Sequence, residues 1–84
     1  MTIFKACSIN DTKAEAWTQP FFVRSNGAAV RSFADACRSD TTEYGKHPED
    51  YHLYVIGEFD EDTGVLTAID PVHLIHGANV GDIT

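Results

Sequence analysis

The sequence predicts a small α+β domain in which one mainly antiparallel sheet packs against a single helix, with the elements in the order β-β-α-β-β. Residues 51–70 read as two strands joined by an acidic turn that ends at Gly64, which is typical of a β-hairpin. Residues 26–39 carry apolar side chains at helical spacing. The chain has 84 residues, too few for two hydrophobic cores, so we expect a single domain over residues 1–84.

Two strands are expected before the helix. Residues 2–9 are rich in β-branched and aromatic types, which favours a first strand. Residues 13–17 contain good helix formers, but too few for more than a turn or a single helical coil. Pro20 opens a second, short strand over residues 20–24, at a strand start where its missing N–H costs nothing.

Capping and periodicity predict the helix over residues 26–39. Ser25 and Asn26 are both good N-cap residues. The apolar residues that follow at i, i+3, i+4 and i+7 form the expected core stripe, which is Val30, Phe33, Ala34 and Cys37. Cys37 and Cys7 both fall in predicted packed elements and lack CxxC spacing, so we expect two buried, reduced thiols.

The second half is expected to form a loop, the hairpin and a tail. Gly45 and Pro48 interrupt residues 40–50, which predicts a polar loop. Both faces of the next strand carry apolar groups, which is typical of a central strand whose second face meets a tail or a second subunit. In the tail over residues 71–84, we expect residues 72–76 to form a short helix or a docked segment.

The charge of the chain limits its partners. The net charge is -7, and all six lysines and arginines precede residue 47, whereas residues 47–84 carry eight acids. A protein that binds nucleic acid through phosphates usually presents a basic surface, so a DNA contact would have to be local. The acidic half is either solvated or turned toward a basic partner. The sequence has no run of about 18 apolar residues and no secretory signal, so we expect a soluble cytoplasmic protein without membrane contact.

Candidate catalytic and metal sites are weak. His73 and His76 stand at i, i+3, but no cysteine or carboxylate lies beside them at ligand spacing, so we expect tail or interface histidines. The acidic turn lacks the later ligands of a calcium loop. A general-base site is conceivable at His47, Glu49 and Asp50. The start of a helix or strand with acidic capping residues is the favoured interpretation of these three residues. We therefore expect no enzyme activity, no metal and no cofactor.

Two binding interpretations remain open. A single-strand DNA contact would use the free N–H groups at the helix start, local basic residues and two aromatic side chains: Lys13, Trp17, Arg24, Asn26, Gly27, Arg31, Arg38 and Tyr44. The second interpretation, which we favour, is a protein interface built on the two-faced strand and the tail: His52, Tyr54, Ile56, Val72 and Leu74. A chain too short to cover both strand faces also predicts a homodimer.

Four segments resemble the small nonstructural protein of gokushoviruses, which are microviruses with single-stranded DNA genomes that infect bacteria. The run HPED followed by an aromatic strand that ends in GEFD and then TG is the most specific part, and the resemblance covers about residues 1–76. The similar segments are DTKAEA (11–16), QPFF (19–22), GAAVRSFAD (27–35) and KHPEDYHLYVIGEFD (46–60) with Thr63 and Gly64.

The resemblance implies a nonstructural phage protein made in the host bacterial cytoplasm that acts in replication or packaging of the single-stranded genome. It supplies no catalytic or binding residues. Together with the negative net charge of the chain, the resemblance favours an accessory protein that binds phage or host replication proteins, or procapsid proteins. Direct binding to single-stranded DNA through a local basic face is the alternative.

Overall fold

The computed structural model describes residues 2–82, which form a five-stranded antiparallel sheet with one main helix on one face. The strands lie in the order β2-β1-β4-β5, and β3 pairs with β1 on the same side as β2. The α+β fold class is therefore confirmed. The strands are β1 (Ile3–Asp11), β2 (Ala16–Trp17), β3 (Phe21–Val23), β4 (Tyr51–Asp60) and β5 (Val65–His76), and the helices are α1 (Asn26–Arg38) and α2 (Glu43–Lys46), with 3-10 helices at Pro48–Asp50 and Gly77–Asp82.

Strand β4 is central, as its two apolar faces indicated. It pairs along its whole length with β1 and over most of its length with β5. Leu53 and Val55 are buried, whereas the alternate residues Tyr54 and Ile56 are half-buried. This alternation separates a face that packs under α1 from a face that the helix does not cover.

Helix α1 forms where capping and periodicity placed it. The Ser25 hydroxyl accepts a hydrogen bond from the Ala28 N–H at 3.1 Å, which satisfies one of the unpaired donors of the first turn. Three residues of the expected stripe are buried, but Val30 is only half-buried, and Ala29 is fully buried in addition. The core between α1 and the sheet also contains Cys7, Ile9, Leu53, Val55 and Val80.

Both cysteines are free and buried, as expected. Burial raises the pKa of the Cys7 and Cys37 thiols. The thiols therefore act as small apolar core groups.

The loop expected over residues 40–50 contains two short helices instead. The Thr42 hydroxyl caps α2 by accepting from the Gly45 N–H at 3.0 Å. A Cβ atom at Gly45 would overlap the Ser39 carbonyl, so the close approach of the two backbone segments requires glycine. The prediction missed these turns because each is too short to show periodicity.

The expectation for residues 72–76 was wrong, because they continue strand β5 rather than forming a helix or docked segment. Pro71 had suggested an end to the strand. Residues 69–71 have no partner in β4, since the register shifts between Val55 and Gly57, so the proline removes no ladder hydrogen bond. The segment that docks on the core is the following 3-10 helix, through Val80.

The stretch from residue 13 to residue 17, expected as a turn or helical coil, forms a turn followed by strand β2. Glu15 adopts a positive φ of 55°, which lets the chain reverse and pair Trp17 with Asn10. In the part of the chain that the structure describes, no helix is long and apolar enough to cross a membrane.

Candidate binding surface

One face of the sheet lies away from α1, and we call it the outer face. The strand register identifies the residues of this face. Cys7 pairs with Val55 in the core, so the side chains of the next pair, Ser8 and Tyr54, point to the opposite face of the sheet. Ile56 is an extra residue in β4, because Ala6 pairs with Gly57. The outer face is formed by Phe4, Ala6, Ser8, Asn10, Trp17, Phe22, His52, Tyr54, Ile56, Gly57, Phe59, Leu66, Ala68, His73 and His76.

Aromatic rings cover much of the outer face. Trp17 packs on Tyr54 with ring centroids 4.9 Å apart, and Phe22 packs on Phe59 at 5.6 Å. Trp17 is nevertheless 48% exposed and Phe22 49% exposed. Rings that are held by a neighbour but remain open to solvent offer contact area at a low entropic cost.

An apolar hollow of about 130 Å³ lies at one end of this face. Its floor is a row of small residues in register across three strands, Ala6, Gly57 and Ala68. Its walls are larger side chains of β3, β4 and β5, namely Phe22, Ile56 and Leu66, the last of which is 60% exposed. The hollow therefore exists because small side chains sit between large ones.

Three histidines form a cluster at the other end of the outer face. His52 Nδ1 and His73 Nε2 are 2.9 Å apart, and the rings of His52 and His76 stack with centroids 4.0 Å apart. His76 Nε2 donates to the Glu49 carbonyl at 2.7 Å. Burial, followed by the charges of His76 and His73, lowers the pKa of His52 below its ordinary value of 6.5. The lowered pKa favours the neutral form of His52 at pH 7.

No acidic residue belongs to the outer face as defined above. Lys5 and Glu58 form an ion pair at 2.9 Å, and both belong to the positions that alternate with this face. The acidic residues that have a register partner in the sheet, Asp11, Glu58 and Asp60, all lie at positions that alternate with the outer face. An uncharged, aromatic surface on an acidic chain is the most distinctive feature of the molecule.

The predicted nucleic-acid residues do not gather on one surface. Trp17 belongs to the outer face, and the Arg24 guanidinium lies 5.2 Å from the Phe4 ring on the same side. Tyr44 packs between Phe33 and Tyr51 on the helix side. The others lie in the turn after β1 or along α1, where Arg38 donates to the Val80 carbonyl: Lys13, Asn26, Gly27, Arg31 and Arg38.

The predicted protein-interface residues also divide. His52, Tyr54 and Ile56 share the outer face. Leu74 packs against the core cluster, and Val72 pairs with Val55 from an exposed position. The sequence did not indicate that His73 would join His52, because that contact depends on the strand continuing past Pro71.

One set of side chains has the spacing of a metal site. The ligand atoms of His47, Glu49 and Asp50 lie within 4.8 Å of one another in the 3-10 turn before β4. His47 and Glu49 are exposed, and exposed acidic groups are commonly found together without a metal. We therefore assign no metal to this turn.

The comparisons with known proteins identify a family. The family model described as Phage ORF5 protein matches residues 4–80. Searches of curated proteins and of solved structures found no match. The matched range includes all of the outer face and almost the whole sheet and helix. The chain therefore belongs to the Phage ORF5 protein family.

Proposed function

We propose that this chain is a non-enzymatic accessory protein of a phage with a single-stranded DNA genome. In this proposal it acts in the host cytoplasm, in genome replication or packaging, by binding a replication or procapsid protein through the outer face. Membership of a phage family supports the general role. The resemblance of residues 46–60 to the gokushovirus protein supports the Microviridae as the source and single-stranded genome synthesis as the process.

The observation that carries the protein-binding proposal is the uncharged aromatic surface. The centre of a protein interface is depleted in charged residues and enriched in aromatic ones. Trp17, Phe22 and Tyr54 supply such rings, and the hollow between Phe22 and Leu66 offers a pocket for an apolar side chain. Basic side chains, which phosphate binding requires, are scarce there.

Two adjacent residues of β5 give a matched test. Leu66 and Val65 are 60% and 56% exposed but point to opposite faces of the strand, and only Leu66 belongs to the outer face. The experiment captures binding partners from phage-infected cells with three tagged proteins: wild type, Leu66→Glu and Val65→Glu. Quantitative mass spectrometry then measures the captured phage replication, host replisome and procapsid proteins. We expect the captured partner to be lost with Leu66→Glu and kept with Val65→Glu. Equal capture by both variants would contradict the proposal.

Direct binding of single-stranded DNA is a second candidate, favoured by the exposed rings of Trp17 and Phe22 on a sheet with Arg24 beside them. Bases stack on such rings with little sequence preference. Anisotropy of a labelled oligonucleotide at two salt concentrations tests it. This candidate requires saturable, salt-sensitive binding that Arg24→Glu abolishes and that Arg31→Glu, on the opposite side, leaves intact. Absence of binding at low salt removes it.

A further inference from the structure

A second concave surface lies at the β2 edge of the sheet, away from the hollow of the outer face. It is a cleft of about 380 Å³ between the end of β1, strand β2, helix α2 and the start of β4. Three of the side chains that line it are aromatic: Trp17, Tyr44 and Tyr51. Two others, Asp11 and Glu43, are acidic.

The aromatic walls are held from behind by other parts of the fold. Tyr44 and Tyr51 meet edge-on with centroids 4.7 Å apart, and Tyr44 also contacts Phe33 of the core at 6.2 Å. Trp17 is supported by Tyr54 at 4.9 Å. The rings are therefore in place before any ligand binds, which lowers the entropic cost of binding.

The cleft carries a negative potential. Burial and then the charges of Asp11 and Glu43 raise the pKa of the Tyr51 hydroxyl. Asp11 is fixed by accepting hydrogen bonds from the backbone N–H groups of Lys13 and Ala14. Within residues 2–82, neither carboxylate forms an ion pair. Both charges are available to a cation from outside the chain.

We propose that this cleft binds an arginine side chain from a basic segment of a protein partner. A guanidinium group stacks on aromatic faces and donates forked hydrogen bonds to carboxylates, so it matches both components of the lining. An anionic ligand is disfavoured by the two carboxylates, and a purely apolar group would leave them desolvated and unpaired. The inference goes beyond the proposed function, because a partner could contact the outer face without using this cleft.

Trp17 gives a direct measurement, because it is the only tryptophan in the chain. The probe is an acetylated and amidated peptide of alternating glycine and arginine with three arginines, and the comparison peptide carries citrulline, the neutral isostere of arginine. Titration at low salt should produce a saturable change in Trp17 fluorescence with the arginine peptide. Binding of the citrulline peptide should be about tenfold weaker.

Glu43→Gln and Glu61→Gln provide matched variants, because each removes one negative charge and only Glu43 lines the cleft. We expect Glu43→Gln to weaken arginine-peptide binding about fivefold and Glu61→Gln to leave it unchanged. Three outcomes would overturn the inference: no saturable binding, equal binding of the citrulline peptide, or equal weakening by both variants. Neither glutamate belongs to the outer face, so a failure here leaves the result of the Leu66→Glu capture experiment intact.

Discussion

The histidine cluster couples the protonation of single residues to the stability of the fold. The His76 Nε2 atom must carry a proton, since its partner is the Glu49 carbonyl. His52 and His73 share one hydrogen bond, in which one ring nitrogen donates and the other accepts. The Tyr54 ring packs edge-on against the His73 ring, with ring centroids 5.2 Å apart. A proton added to His52 would therefore lie beside the rings of His76 and His73, which lower the pKa of His52.

The free energy of unfolding should fall as the pH decreases below about 6.5, which is the ordinary pKa of histidine. His52 binds a proton near pH 6.5 in the unfolded chain but only at lower pH in the folded chain, so the unfolded state binds more protons in this window. Urea unfolding at pH 7.5 and 5.5 measures this decrease in the free energy of unfolding. His52→Gln should reduce the difference between the two pH values, whereas His47→Gln, at an exposed turn position, should not. Equal effects of the two variants would contradict this assignment.

Among the structural elements, β4 is paired with a strand on each side and places Leu53 and Val55 in the core. Leu53 is fully buried under α1, and truncating it leaves a cavity that its paired neighbours cannot fill. We expect Leu53→Ala to reduce the free energy of unfolding by about 2–5 kcal/mol. Leu66→Ala, the same change on an exposed position of β5, should cost less than about 1 kcal/mol. Chemical denaturation of both variants measures the two values, and similar losses would show that burial of Leu53 under α1 does not add to stability.

How far the sequence predicts an element depends on the range of the forces that specify it. The helix α1 and the β4–β5 hairpin were predictable because capping at Ser25 and alternation in β4 are local signals. The extension of β5 past Pro71 was not, because a register shift against β4 accommodates the proline. The outer face could not be predicted for the same reason, which is its dependence on strand register. Its pairs Trp17 with Tyr54 and Phe22 with Phe59 join side chains from separate strands, so they depend on register, which the sequence alone does not specify.

At the scale of the whole molecule, charge distribution decides how two copies can meet. Each chain carries -7, so most pairs of surfaces repel one another, and the uncharged outer face is the surface on which two copies approach at least cost. A dimer formed there would bury the exposed rings of Trp17 and Phe22, so self-association and binding of another protein would compete for the outer face.

We expect a homodimer of about twice the chain mass of 9.2 kDa by multi-angle light scattering at micromolar concentration. Leu66→Glu should convert it to a monomer, and Val65→Glu should not. Added salt should strengthen the dimer, because it screens repulsion between two acidic chains while leaving apolar contacts in place. Salt would weaken a DNA complex, which depends on counterion release. The direction of the salt effect therefore separates self-association on this face from binding of nucleic acid, and a wild-type monomer at every salt concentration would exclude the dimer.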